Sequence, residues 1–204
     1  MSEYKLTYFN MMGRAEPTRL IFAWAEVAYK DDRIEKSDWP AMKESQPHSQ
    51  LPVLTVDGKQ LAQSRVIERY LAKSFGLAGE NEWEAAKIDE LVACVDDFLI
   101  EIQPWFKEQD NAKKVEIFKQ LIESTIIPFI THFDTILQSN GTGFFVGDKI
   151  SHADLALYHI FWFMNFKILP GALRRFPKIL EFVERTTAIP QIKRWIIQRP
   201  KTEA

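Results

Sequence analysis

Residues 4–17, Tyr-Lys-Leu-Thr-Tyr-Phe-Asn-Met-Met-Gly-Arg-Ala-Glu-Pro, constrain the fold more than any other stretch of this chain. Leu6, Tyr8 and the residues between them alternate as in a short strand. Asn10 to Gly13 read as a turn, and Pro17 fits only the first turn of a helix that follows. A strand that runs into a helix start ends in a cradle of backbone N–H groups at the positive end of the helix dipole. Tyr8 and Arg14 flank that cradle. A phenol and a guanidinium facing a helix N-terminus suit an anion, or a group that must become one.

Composition narrows the class of partner. The 204 residues suffice for one large domain or two small ones, with 46% hydrophobic and 26% charged residues as in ordinary globular proteins. A net charge of -2 argues against nucleic acid as a partner. No run approaches the roughly 20 apolar residues of a membrane span, and the first residues lack a signal-peptide pattern. Cys94 is the only cysteine, which excludes an intrachain disulfide, a CxxC redox pair and a zinc finger. These features predict a cytoplasmic protein with no membrane or nucleic-acid partner.

Strand and helix signals mix over residues 1–74. Leu20, Ile21, Trp24 and Val27 keep helical spacing over 17–27, residues 29–34 are a weaker strand, and Ser37-Asp38-Trp39-Pro40 opens a short helix. Residues 47–50 are loop. Residues 51–56 and 59–62, joined by Asp57-Gly58, predict a hairpin. Ser64 is expected to cap a helix whose apolar positions are Val66, Ile67, Tyr70 and Leu71, with Arg65 and Glu68 facing solvent. The order is βαβ followed by ββα.

Residues 75–82, with Gly76 and Gly79, read as a linker, and 83–204 read as an all-helical domain. Ile88, Leu91, Val92, Val95, Phe98, Leu99 and Ile102 form one apolar stripe, beside which Cys94 is expected to be a buried small hydrophobe. Val115, Phe118, Ile122, Phe129 and Phe133 form a second stripe, with Pro128 expected to kink it. Ser151-His-Ala-Asp154 is a capping box with Asp in place of Glu, and Ile150 is set to staple onto Leu155. Residues 155–166 are apolar almost all round, so that helix is expected to be central and buried. Residues 176–186 and 190–197 read as closing helices. His152 and His159, seven apart on one helix, are too far apart to share a metal and read as structural.

The βαβ–ββα order within residues 1–74 resembles the thioredoxin-like fold, in which the proline of a Leu51-Pro52 type step is typically cis. A proline at a strand start leaves neighbouring backbone groups to pair with an extended peptide. Redox members of that fold carry a cysteine in the turn after the first strand; here the turn is Asn10-Met11-Met12-Gly13. Any thiol chemistry must therefore use a thiol brought by the ligand, and glutathione is the abundant cytosolic one. Ser64 as a helix cap is worth about 1 kcal/mol. At the same helix end Gln63, Ser64 and free N–H groups can also hold a carboxylate, and glutathione carries one at each end. Trp39 and Lys43, one turn apart, are placed to hold the glycyl end or to serve as packing and surface.

Five motifs occur in order: Tyr-Phe-Asn-x-x-Gly-Arg-Ala-Glu at 8–16, Asp38-Trp39-Pro40, Gln50-Leu-Pro-Val53, Gln63-Ser64 with Arg69-Tyr70-Leu71, and Ser151-x-Ala-Asp154. Together they resemble the cytosolic glutathione S-transferases of the sigma class, the class that includes glutathione-dependent prostaglandin D synthase. The match runs in register from Tyr4 nearly to Arg199-Pro200. The resemblance implies a homodimer with a glutathione-binding thioredoxin-like domain at 1–74 and a helical domain at 83–204 that contributes the electrophile pocket. It implies that Tyr8 activates the thiol and Arg14 supports it. Trp39, Lys43, Gln50, the backbone of Leu51, Gln63 and Ser64 would bind the tripeptide, and Asp97 would reach the γ-glutamyl amine of glutathione bound in the partner subunit. The electrophile would sit near Phe9, Met12, Asp96, Trp105 and Tyr158. Detoxification of hydrophobic electrophiles is the implied activity, with prostaglandin H to D isomerisation as a narrower one. Some members of the class hold a metal among interface aspartates; Ala93 stands where a third acid would help, so no metal is expected.

Two non-catalytic readings compete. Lens S-crystallins resemble the same class, but usually carry an insertion in the helical domain that is not evident here, and Tyr8 is kept. A carrier of hydrophobic ligands is the other, since part of the aromatic set Phe98, Trp105, Phe106, Phe161, Trp162 and Phe163 suits a pocket for flat or lipid-like molecules. Met11-Met12 adds bulk and flexibility where a second substrate would approach.

Overall fold

A computed structural model describes residues 2–202. Two compact units are present: the described residues up to 78 together with those from 186 onward, and residues 79–185.

The first unit is built on a four-stranded mixed sheet. Strands β1 (Tyr4–Phe9), β2 (Lys30–Ile34), β3 (Val53–Val56) and β4 (Lys59–Ala62) lie in the order β2-β1-β3-β4. β1 pairs parallel with β2, with Tyr8 opposite Arg33, and antiparallel with β3, with Leu6 opposite Leu54. A parallel pair needs a crossover, and α1 (Glu16–Ala25) supplies it after a 3-10 turn at Gly13–Ala15. Pro17 lies in the first turn of α1, where its missing N–H costs nothing. The β3–β4 turn has positive φ at both Asp57 and Gly58, as a two-residue hairpin demands. Helix α2 (Trp39–Met42) is short and continues into a 3-10 turn at Lys43–Ser45; α3 (Ser64–Phe75) packs beside α1. Leu6, Leu20, Ile21, Leu54, Ile67 and Leu71 are wholly buried.

Three expectations about α3 require correction. Gln63, not Ser64, is the N-cap residue, so Ser64 is the first helical residue. Only the Ser64, Ile67, Glu68, Leu71 and Ala72 positions are buried; Val66 and Tyr70 are 44% and 41% exposed. Glu68 does not face solvent: its side chain is wholly buried and accepts from Arg65 Nη1 at 2.8 and 3.0 Å. Charge pairing at i, i+3 lets a carboxylate occupy a position that hydrophobicity alone assigns to water.

The second unit is helical: α4 (Glu82–Lys107), α5 (Asn111–Leu121), α6 (Ile127–Asn140), α7 (His152–Phe163) and most of α8 (Pro177–Ala188). A π-helical turn at Ile122–Ile126 joins α5 to α6, so the disturbance expected at Pro128 falls just before it, and Pro128 lies in the first turn of α6. Every residue from His152 to Phe161 is buried, and α7 packs against α4. Val115, expected in an apolar stripe, is 56% exposed, and Cys94 is only half-buried. Burial, reinforced by Asp97 and Glu90, raises the Cys94 thiol pKa. The last helix, α9 (Pro190–Gln198), belongs to the first unit and packs on α1.

The capping box of α7 is complete. Asp154 is wholly buried and accepts from Ser151 N at 2.7 Å, Ser151 Oγ at 2.6 Å and Phe145 N at 3.0 Å. Asp154→Ala strips these donors of their acceptor and is expected to cost roughly 3 kcal/mol, read from the denaturant midpoint. Burial pushes the Asp154 carboxyl up to about 6, against the pull of its donors. A folded-state value above the unfolded one gives a contribution that is full at low pH and lost as pH rises through it. The stability of the wild type relative to Asp154→Asn is therefore expected to fall between about pH 4 and pH 7.

Candidate active site

Tyr8 lies on an inner strand of the sheet with 7% of its surface exposed. Its hydroxyl accepts a hydrogen bond from the backbone N–H of Arg14 at 3.2 Å. The 3-10 turn brings that N–H round, and it needs glycine at position 13 for two reasons. Gly13 has φ +42°, and a Cβ there would stand 2.7 Å from the Tyr8 hydroxyl. Burial raises the Tyr8 pKa above its ordinary 10.0, against the lowering effects of the Arg14 N–H and the Arg14 and Arg19 charges. The phenol therefore keeps its proton at neutral pH and serves as a hydrogen-bond donor to an anion.

An aromatic chain continues from Tyr8. Phe9 meets Tyr8 edge-on at 5.5 Å, and half-buried Trp39 meets Phe9 at 5.7 Å. Arg14 and Lys43 are exposed, Lys43 at the end of α2. In the segment just before β3, Leu51 packs against the cluster of Leu6, Tyr8 and Ala15, and the Leu51-Pro52 bond is cis. Gln63 Nε2 donates to Gln50 Oε1 at 3.2 Å, joining the start of α3 to the segment before β3. Gln63 holds φ 74° and ψ 112°, a region sparsely populated by residues with a Cβ. Its side chain makes no cap bond, so no N-cap side chain covers the N–H groups at the start of α3. Tyr8, Phe9, Trp39, Gln50, Leu51, Gln63 and Ser64 thus gather at one end of the sheet. A buried neutral phenol and an uncapped helix start there suit a ligand carrying a thiol and carboxylates.

The remaining predicted residues divide between the units. Met12, in the first, is 4% exposed. In the second, Tyr158 on α7 is 2% exposed, and Trp105 stacks on Phe118 at 5.0 Å with Lys114 Nζ 5.4 Å from its ring. Asp96 is half-buried and Asp97 exposed on α4. Asp97 lines a shallow cavity of about 220 Å³ with Cys94, Glu101, Ser124, Thr125 and Phe129. Among the described residues no group of three or more His, Cys, Asp or Glu is arranged to hold a metal ion.

Sequence patterning does not single out Gly13 as the packing partner of Tyr8. It also passes over Arg19, Glu16 and Asp31, which form a charge cluster behind the turn. The available signal is two opposite charges three apart, next to the apolar Leu20-Ile21 pair.

Residues 4–73 match the glutathione S-transferase N-terminal domain model, and residues 96–199 match the glutathione S-transferase C-terminal domain model. Probable glutathione S-transferase 5 of Caenorhabditis elegans is 40% identical over 212 residues, covering 99% of each chain. Human hematopoietic prostaglandin D synthase is 36% identical over 209 residues, covering 100% of each. The solved structure of NaGST-2 superposes with a TM-score of 0.93 at 37% identity over 100% of both chains. The chain belongs to the glutathione S-transferase family.

Gly13→Ala is expected to push the Tyr8 ring from its place and to lower glutathione turnover by roughly tenfold or more. Gly76→Ala, where φ is also positive but no atom lies within 4 Å, supplies the control. It should lose stability and keep turnover; equal losses in the two variants would contradict the role given to Gly13.

Proposed function

We propose that the chain is a sigma-class glutathione transferase in which Tyr8 stabilises the thiolate of bound glutathione for attack on hydrophobic electrophiles. The observation that carries this reading is the buried, protonated Tyr8 hydroxyl at the strand end, held by the Arg14 N–H. A free thiol has a pKa of about 8.5, so only a few per cent is thiolate at neutral pH. A phenol that donates to sulfur stabilises the anion, and each unit of thiol pKa lowered corresponds to about 1.4 kcal/mol. The thiol proton leaves to solvent, the thiolate forms a bond to the electrophilic carbon, and the leaving group departs with the bonding electrons. Tyr8 keeps its own proton throughout.

In this reading residues 1–74 bind glutathione, 75–82 link, and 83–204 contribute the electrophile pocket. Arg14 supports the thiolate. Trp39, Lys43, Gln50, Leu51, Gln63 and Ser64 hold the tripeptide, its γ-glutamyl carboxylate at the start of α3. Phe9, Met12, Asp96, Trp105 and Tyr158 line the electrophile pocket. The protein acts as a cytoplasmic homodimer in detoxification, with Asp97 reaching glutathione bound in the partner subunit. Exposed Val66 and Tyr70 on α3, apolar residues left uncovered, support the dimer. The match to human hematopoietic prostaglandin D synthase supports prostaglandin H to D isomerisation as a second activity.

The test is turnover of glutathione with an aryl halide such as chlorodinitrobenzene, by wild type and Tyr8→Phe. A hydrogen bond to a charged group is worth about 1.5–3 kcal/mol, so Tyr8→Phe is expected to lose roughly 10- to 100-fold below the thiol pKa. No turnover by the wild type would sink the enzyme reading in favour of a structural or ligand-carrying protein. Equal turnover would sink the role of Tyr8. Prostaglandin H offered to the same protein should yield the D isomer, and failure there would remove that activity alone. Light scattering is expected to report a dimer; a monomer that binds glutathione tightly would refute the cross-subunit role of Asp97.

A further inference from the structure

The thiol chemistry leaves a buried charge cluster unexplained. Arg19 on α1 is wholly buried, and so is Glu16. The Arg19 guanidinium donates from Nη1 to Met11 O at 2.8 Å, Met12 O at 3.3 Å and Glu16 Oε2 at 3.2 Å. Its Nε donates to Asp31 Oδ1 at 3.0 Å, and its Cζ stands 5.9 Å from the centre of the Tyr8 ring. Asp31 also accepts from Arg33 at 2.7 Å, and Arg33 reaches Asn10 Oδ1 at 3.4 Å. On the other side, Glu16 Oε1 accepts from Trp195 Nε1 at 2.9 Å and Arg199 Nη1 at 2.7 Å, both from the C-terminal segment.

Burying such a cluster does little for stability by itself, because desolvation offsets most of the attraction. Its distinctive capacity is geometric. The planar guanidinium holds two successive carbonyls of the 10–14 turn and the α1 carboxylate from Nη1 while Nε holds Asp31 of β2, four acceptors that an apolar side chain or a three-donor ammonium cannot serve at once. The turn so held presents the Arg14 N–H to Tyr8. We propose that Arg19 is a positioning residue for thiol activation. Trp195 and Arg199 complete the device by holding Glu16, so the C-terminal segment is part of the active-site framework. This rests on the reading that Tyr8 stabilises the glutathione thiolate.

The experiment measures the pKa of enzyme-bound glutathione from thiolate ultraviolet absorbance, with kcat, KM and Tm, in wild type, Tyr8→Phe, Arg19→Lys, Arg199→Ala and Trp195→Phe. Arg19→Lys and Arg199→Ala are expected to raise the bound thiol pKa by roughly half to one unit. The pH profile of kcat/KM should shift with it, a loss of about three- to tenfold below the thiol pKa that closes at high pH, with KM for glutathione within about twofold. Trp195→Phe should shift in the same direction and less. A merely structural cluster predicts lowered Tm with an unmoved thiol pKa, and that result overturns the proposal. Should Arg19→Lys fail to fold, Arg199→Ala and Trp195→Phe, which leave Arg19 and its bonds to the turn in place, carry the test. Wild type and Tyr8→Phe with the same thiol pKa would instead overturn the thiol-activation reading beneath it. A full Tyr8-dependent shift retained in the Arg199 and Trp195 variants overturns only the positioning role.

Discussion

A guanidinium with no exposed surface depends on protein groups for its hydrogen bonds, and Arg19 finds four acceptors for Nη1 and Nε while its buried Nη2 has none among the described residues. Two carbonyls of the turn after β1, a carboxylate of α1 and a carboxylate of β2 converge on it. These segments are the three parts of the parallel β1–α1–β2 crossover, so one buried cation ties them together at the end of the sheet where Tyr8 lies. Removing any acceptor would leave further charge or N–H groups buried without a partner, which is why such contacts resist piecemeal change. The same cluster reaches α9 through Glu16, and this explains why the last helix belongs to the first compact unit.

The site that this frame supports is mostly backbone and shape. Tyr8 is buried enough to stay protonated, and its hydroxyl sits so close to Gly13 that no Cβ fits between them. At the neighbouring strand end, Gln63 holds a backbone conformation that costs of order 1–3 kcal/mol in residues with a Cβ. That conformation carries the chain from β4 into α3 while its side chain bonds Gln50 rather than capping the helix. Strain at this position and an uncapped helix start are two aspects of one arrangement, which leaves the N–H groups at the start of α3 without a capping side chain.

The helical unit obeys different physics. Its central helix α7 is buried along nearly its whole length, so its N-terminus cannot rely on water to satisfy free N–H groups. Asp154 does that work from inside and accepts a desolvated carboxylate as the consequence. Around it Phe129, Phe133, Phe145 and Phe161 meet mostly at tilted or edge-on angles, as an aromatic core prefers.

Much of this was legible in the residues alone. The strand–turn–helix at 4–17, the Asp57-Gly58 hairpin, the capping box at 151–154 and the all-apolar helix after it follow from local rules of period, turn chemistry and capping, and the structure has each of them. The turn after the first strand has no cysteine, so in a thioredoxin-like frame any thiol has to come from the ligand, and that follows from the residues alone. Tertiary structure alone decided which polar groups go inside. Glu16, Arg19 and Glu68 look like surface residues in a linear reading, since no local rule prices a charge that finds its partner across the fold. Only folding also decided that Gln63 rather than Ser64 is the N-cap residue of α3, that Gly13 serves Tyr8, and that Trp195 and Arg199 return to Glu16. Periodicity and propensity describe a residue's neighbours along the chain, whereas these contacts depend on packing and desolvation, which exist only once distant segments have met.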